Sequence, residues 1–139
     1  MIPYEILDHT AEIGVKAYGR TREELFAHMA AGMFSLIVPA AQVRPVATAP
    51  VTASGQGDDR LLVAWLKELL FLFDTRHFLG VSFKVRFPSE GRLEAIVSGD
   101  TLDLSRHTVD KEIKAVTYCD LQLKRDSQGI WSAQVIFDI

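Results

Sequence analysis

The chain of 139 residues is 48% hydrophobic and 24% charged, which is typical of a globular protein that buries roughly two-thirds of its unfolded surface. Fifteen Lys and Arg against 18 Asp and Glu leave a formal charge of -3, so the chain lacks the basic excess that attracts a nucleic-acid backbone, and any role in RNA chemistry is expected to be indirect. The single cysteine, Cys119, excludes a disulfide framework and a zinc site built from cysteines.

Two strands are predicted at the start of the chain. Residues 4–7 form an extended segment that runs into a polar turn at residues 8–11, where Asp and Thr side chains bond to nearby backbone. Residues 12–18 alternate between apolar and polar side chains, the pattern of a half-buried strand, and Glu12 falls on the polar face.

Two helices and an edge strand are predicted next. Thr21 and Glu24 have the spacing of a capping box, so a first helix begins there, and Pro39 prevents its continuation beyond about residue 38. Residues 43–53 favour an edge strand because they contain prolines that cannot donate to a central ladder. A second helix over residues 61–73, capped by one of the preceding aspartates, is apolar on almost every side, so we expect it to be covered on most sides.

The second half of the chain is rich in strands. Residues 81–87 and 93–97 alternate in the same phase around a turn and predict a hairpin. A polar connection over residues 99–110 precedes strand-like segments at residues 113–124 and 130–137. Two helices and about seven strands, mostly antiparallel, predict an α+β fold in one domain over the whole chain.

The sequence also predicts where the protein resides. Its N-terminal residues lack the basic and apolar regions of a signal peptide, and no segment has the ~18 uninterrupted apolar residues of a membrane span. We therefore expect a cytoplasmic protein without a membrane partner.

Two carboxyl groups lie close together at the end of the chain. Alternation along the last strand places Asp138 on the face opposite to Trp131, and the α-carboxylate of Ile139 follows one residue later. Their repulsion is relieved by water if the end is exposed, by protonation if it is buried, or by a hard cation. On the residues alone, a solvated terminus is the ordinary explanation.

Other polar residues carry weaker signals. Glu12 begins a strand beside a turn, where its side chain can converge on a neighbouring strand end or simply face solvent. Lys114 interrupts an apolar segment, so its ammonium group faces solvent or a partner. The four histidines show no ligand spacing, and Cys119 has no adjacent activating residue.

Taken together, five motifs resemble the archease family, in its order and across the whole chain. They are residues 8–14 (DHTAEIG), 24–26 (ELF), 61–70 (LLVAWLKELL), 113–118 (IKAVTY) and 137–139 (FDI).

The resemblance implies a non-catalytic function. Archease is an accessory protein of the RtcB-type RNA ligase, which joins RNA ends in tRNA splicing and RNA repair. A member of this family is expected to promote guanylylation of the ligase over many turnovers and to contact RNA only indirectly. An older proposal for the family is a chaperone-like modulator of a tRNA-modifying methyltransferase.

The resemblance also implies a site. The family's divalent-metal site maps onto Glu12, Asp138 and Ile139, with calcium as the first expectation and magnesium or manganese as alternatives, and a lysine important for the partner maps onto Lys114. Most relatives carry Asp at position 12 and His at position 119. Because Glu reaches roughly 1.5 Å further than Asp, the metal geometry at position 12 is expected to shift, and Cys119 receives no role.

Two other functions remain as alternatives. A small metal-dependent hydrolase would use carboxylates with an open metal position to activate water, although the sequence offers no second histidine or acidic cluster to complete it. A general chaperone would need a surplus of exposed apolar surface. The residues favour the activator over both.

Overall fold

Residues 1–8 and 11–139, which the computed structural model describes, form two α-helices and eight strands, so the predicted α+β fold is confirmed. The elements are β1 (Tyr4–Asp8), β2 (Glu12–Gly19), α1 (Arg22–Ile37), β3 (Ala47–Ser54), α2 (Asp58–Arg76), β4 (Phe78–Arg86), β5 (Arg92–Thr101), β6 (Ala115–Val116), β7 (Gln122–Arg125) and β8 (Trp131–Asp138). The predicted turn at residues 8–11 includes His9 and Thr10, which lie outside the described residues.

The strands form two antiparallel sheets. In the five-stranded sheet, β2 lies between β1 and β8, and both β6 and β7 pair with the other edge of β8. In the three-stranded sheet, β5 lies between β3 and β4. The β4–β5 pair is the predicted hairpin. Strands β2 and β8, which lie near opposite ends of the sequence, are therefore neighbours at the centre of the larger sheet.

The helices form a layer between the two sheets. Helix α1 contacts β2 and β8 on one side and β4 on the other, and α2 contacts β6, β7 and all three strands of the smaller sheet. Helix α1 approaches β2 closely at Gly32, where a Cβ atom would lie only 2.6 Å from Cγ1 of Val15. This layered packing explains why residues 61–73 of α2 are mostly apolar, because only Lys67, Glu68 and Phe71 in that stretch are exposed.

The ends of the helices follow local rules with one exception. As predicted, Thr21 caps α1, since its hydroxyl accepts a hydrogen bond from the Glu24 N–H at 3.1 Å. Helix α2 begins earlier than predicted, at Asp58, and the prediction of an aspartate cap was wrong. Its N-cap is Gly57, and Asp58 and Asp59 occupy the first turn, where negative charge favours the helix dipole. No helix in the described residues is long and apolar enough to span a membrane.

Strand β3 is an edge strand, as the prolines predicted, but it begins only at Ala47. The prediction of a polar connection from residue 99 was wrong for its first three residues, because β5 continues to Thr101 and Asp100 pairs with Leu79. Asp100 is buried beside a guanidinium group that neutralises it. Alternation of apolar residues could not show this pairing.

The strand predicted over residues 113–124 is broken into two. Strands β6 and β7 flank a turn at residues 117–121 that leaves the edge of β8. Two local features stabilise the turn: the Thr117 hydroxyl donates to the Ile136 carbonyl and accepts from the Cys119 N–H, and Asp120 adopts a left-handed backbone with φ of 48°. This division produces eight strands instead of seven.

Trp65 is completely buried and joins the two helices to the three-stranded sheet. Its indole N–H donates to the Phe26 carbonyl at 3.0 Å, and its ring meets Phe83 edge to face. We expect Trp65→Phe to lower the free energy of unfolding by about 1–3 kcal/mol, because it loses a buried hydrogen bond and leaves a cavity. Phe71→Ala removes an aromatic ring from the same helix at a position that is 64% exposed, and it should change stability by less than about 0.5 kcal/mol. Urea denaturation measures both values, and equal losses would contradict this view of the core.

Candidate metal centre

The pairing of β2 with β8 places Glu12 directly opposite Asp138. The next pair along, Ile13 and Phe137, is completely buried in the core. Because successive side chains point to opposite faces of a sheet, Glu12 and Asp138 share the outer face. Directly opposite residues have Cβ atoms only about 4.5–5.5 Å apart, so the two carboxylates lie close to each other on the surface.

The end of the sequence lies beside the same pair. The Ile139 N–H donates a hydrogen bond to the Ala11 carbonyl at 3.3 Å, so the last residue runs alongside the start of β2. Its side chain is half-buried against the core. The backbone of Ile139 therefore lies next to the Glu12–Asp138 pair.

Lys114 approaches this edge from the other side of β8. Its backbone N–H donates to the Asp138 carbonyl at 2.8 Å, and the next residue, Ala115, is paired with Asp138. The Lys114 side chain is exposed. The structure thus brings together Glu12, Asp138, Ile139 and the backbone of Lys114, although they come from three separate parts of the sequence.

The acidic pair lacks a protein cation. In residues 1–8 and 11–139, neither Glu12 nor Asp138 takes part in an ion pair. Like charges that are directly opposite in a sheet destabilise the pairing, and a bound cation would remove that penalty. The same residues contain no group of three or more His, Cys, Asp or Glu side chains able to hold a metal ion. The metal site expected at Glu12, Asp138 and Ile139 therefore remains a prediction.

Cys119 lies within the electrostatic field of this pair. The neighbouring Asp120 carboxylate raises the pKa of the exposed Cys119 thiol most strongly, followed by partial desolvation and then by the charges of Glu12 and Asp138. Cys119 received no role from the sequence because it has no adjacent activating residue and because the resemblance implies His at this position; the turn that carries Cys119 was predicted as a continuous strand. A signal was present in Thr117 and Asp120, since both residue types favour turns.

In residues 1–8 and 11–139, two helices are packed between antiparallel sheets, and the Glu12 and Asp138 carboxylates at the end of the central strand pair take part in no ion pair. The chain is thus an α+β protein with opposed acidic residues at one end of its larger sheet. A match to the Archease protein family covers residues 4–139. Protein archease of Methanosarcina barkeri is 37% identical over 140 residues, which cover 98% of this chain and 95% of the relative. Protein archease of Pyrococcus furiosus is 33% identical over 142 residues and covers both chains completely.

A solved structure shows the same architecture. The solution structure of Methanobacterium thermoautotrophicum protein 1598 is similar with a TM-score of 0.85 and 31% sequence identity, over 99% of each chain. The chain belongs to the archease family. This membership supports the role of an accessory protein that acts with a partner.

The Cys119 thiol can report on the nearby carboxylates. Glu12→Gln and Asp138→Asn each remove a negative charge that raises the thiol pKa, so the thiolate fraction at a fixed pH below that pKa should increase. We expect alkylation by iodoacetamide to become about twofold faster in either variant, and faster still in Asp120→Asn. Glu23→Gln, a change of an exposed acid on α1, serves as the control and should leave the rate unaltered. Unchanged rates in both site variants would show that the carboxylates lie away from the thiol.

Proposed function

We propose that this chain is a non-catalytic activator of an RtcB-type RNA ligase in tRNA splicing and RNA repair. In this proposal it promotes guanylylation of the ligase through the acidic edge, which comprises Glu12, Asp138 and the α-carboxylate of Ile139. The observation that carries the proposal is the direct pairing of Glu12 with Asp138 beside the last residue. Family membership supports the accessory role, and this geometry supports the choice of surface.

The acidic edge would hold a divalent cation. Its ligands would be carboxylate oxygens, which suit hard ions such as calcium, magnesium and manganese. Calcium is our first choice because it accepts longer and more irregular ligand arrangements than magnesium, and the longer arm of Glu12 asks for such tolerance. When bound, the ion would reduce the repulsion between the carboxylates, and its open coordination positions would accept phosphate oxygens of a nucleotide.

Charge and exposure support a transient complex with the ligase. The acidic edge, in which Asp138 is exposed and Glu12 is half-buried, and the net charge of -3 would be attracted to a basic channel that binds RNA. RNA would compete for the same channel, so the activator would leave before RNA binds. Lys114, which is exposed and bonded through its backbone to Asp138, would pair with an acidic group of the ligase at the border of the contact.

Metal binding tests the acidic edge without the ligase. We expect Glu12→Gln and Asp138→Asn each to weaken Ca²⁺ or Mn²⁺ binding at least about tenfold, because each removes a charged ligand. Glu12→Asp should still bind, since it keeps the charge and changes only the reach. Isothermal titration calorimetry measures these affinities, and Glu23→Gln provides the matched control. Equal affinities in all four variants would show that the acidic edge does not bind the cation.

Ligase activation tests the function itself. In a guanylylation assay with purified RtcB-type ligase, Asp138→Ala, Glu12→Ala and a short extension after Ile139 should each reduce activation by at least about tenfold, a loss typical of disrupted metal ligation. Lys114→Ala should reduce activation while leaving Ca²⁺ affinity unchanged, because its predicted contact is with the partner. Glu23→Ala should activate like the parent.

Two results would contradict the proposal. The site assignment is wrong if the three variants of the acidic edge activate as well as the parent. The accessory function is wrong if the protein alone turns over phosphoester substrates in the presence of Ca²⁺ or Mn²⁺, because that activity defines a hydrolase.

A further inference from the structure

A long irregular connection, residues 102–114, crosses from the three-stranded sheet to the acidic edge, and we call it the strap. Its middle covers the C-terminal end of α1. The N–H groups of Asp110 and Lys111 donate to the carbonyls of Ile37 and Leu36 at 2.8 and 3.1 Å. These carbonyls have no partner within the helix, so the strap takes the place of a helix cap.

The strap is held at further points before and after the helix end. Thr108 exchanges two hydrogen bonds with the side chain of Gln42, at 2.6 and 3.3 Å. At its far end the Lys114 N–H donates to the Asp138 carbonyl at 2.8 Å. Hydrogen bonds thus hold the strap over most of its course, and its last bond is made to a residue of the acidic edge.

The first part of the strap is folded around a buried charge. Arg106 contacts Asp100 at 2.8 Å and Asp103 at 3.1 Å, which bridges the end of β5 to the strap. The hydrogen bond from Arg106 is the main cause of the lowered pKa of Asp100, and hydrogen bonds from Ser105 and Arg106 lower the pKa of Asp103 to about 2. Both carboxylates are therefore charged at neutral pH and attract the guanidinium group.

His107 closes this cluster. Its ring is completely buried, its Nδ1 accepts a hydrogen bond from the Asp103 N–H at 2.9 Å, and its Nε2 lies 3.9 Å from the Asp100 carboxylate. Because Nδ1 accepts this hydrogen bond, Nε2 is the ring nitrogen that can donate. Among the described residues Nε2 has no hydrogen-bond partner, so burial of this ring is not explained by hydrogen bonding alone.

We propose that Asp100, Arg106 and His107 form a lock that fixes the strap and thereby positions Lys114 beside Asp138. This inference rests on the proposed function of the acidic edge. The three residues touch no metal or partner in this scheme and act only through the strap. They are positioning residues, at the opposite end of the strap from the residues they place.

The order of contacts along the strap explains how the lock acts at a distance. Thr108 directly follows His107, so the position of the His107 backbone decides whether Thr108 can form its two hydrogen bonds with Gln42. Two further backbone bonds and a buried Ile113 separate Thr108 from Lys114. A shift of the chain at the lock would therefore break this series of contacts in turn.

Amide hydrogen exchange, measured by NMR on the full chain, tests the lock directly. In Arg106→Ala we expect the amides of Thr108, Lys111 and Lys114 to exchange about tenfold faster or more, while amides of β2 keep their parent rates. Arg86→Ala removes an arginine from an exposed ion pair with Glu94 on the three-stranded sheet, and it should leave strap exchange unchanged. Equal acceleration in β2 and the strap, or none in the strap, would overturn the proposal.

A conservative pair of variants guards against unfolding. The amide oxygen of Asn in His107→Asn can accept the Asp103 N–H in place of Nδ1, whereas His107→Ala removes that acceptor. We expect strap exchange near the parent rate in the first variant and acceleration in the second. Similar exchange rates in both variants would show that the hydrogen bond accepted by His107 does not hold the strap, and His107 would then not belong to the lock.

Mn²⁺ titration connects the lock to the acidic edge. We expect Arg106→Ala to weaken Mn²⁺ binding about threefold, because Asp138 loses the support of its backbone hydrogen bond from Lys114. Arg86→Ala should have no effect. Fast strap exchange with unchanged Mn²⁺ affinity would overturn the positioning role, provided that Asp138→Asn weakens Mn²⁺ binding as expected above. If Asp138→Asn itself has no effect on Mn²⁺ binding, the metal site of the proposed function fails instead, and the exchange experiment alone decides whether the lock exists.

Discussion

The antiparallel pairing of β2 with β8 is the constraint on which the rest of the structure depends. It joins residues from near the two ends of the sequence and aligns Glu12 with Asp138. Such a pairing has a high entropic cost, since nearly the whole chain must be ordered between its strands. The buried faces of both strands, packed on α1, supply the compensating free energy. Glu12 and Asp138 lie opposite each other because the next residues along the two strands, Ile13 and Phe137, are paired and buried in the core.

The same core explains why a charged edge can be retained. Completely buried residues such as Ile13 and Phe137 fix the register, and a slip of one residue would turn every side chain to the wrong face. The carboxylates of Glu12 and Asp138 therefore cannot move apart by sliding. Core packing keeps the two carboxylates adjacent despite their repulsion, and they remain available to a cation or a partner.

Much of the fold could be predicted from local patterns, whereas the site required information on distant pairing. Alternation at residues 12–18 and the capping box at Thr21 predicted β2 and the start of α1, because both signals come from neighbouring residues. No local signal shows that β2 and β8 are adjacent; the resemblance to a family supplied that link. The break between β6 and β7 was missed because Thr117 and Asp120 act through hydrogen bonds and a left-handed backbone. His107 was set aside as a lone histidine, yet it is buried in the strap.

Paramagnetic broadening by Mn²⁺ in NMR spectra of the full chain tests the central claim most directly, because it locates the ion among the backbone amides. If the carboxylates form one cation site, substoichiometric Mn²⁺ will first broaden the amide signals of Glu12, Asp138 and Ile139. Broadening that begins at another acidic surface, such as Asp58 and Asp59 at the start of α2, or that spreads evenly over the protein, would contradict it.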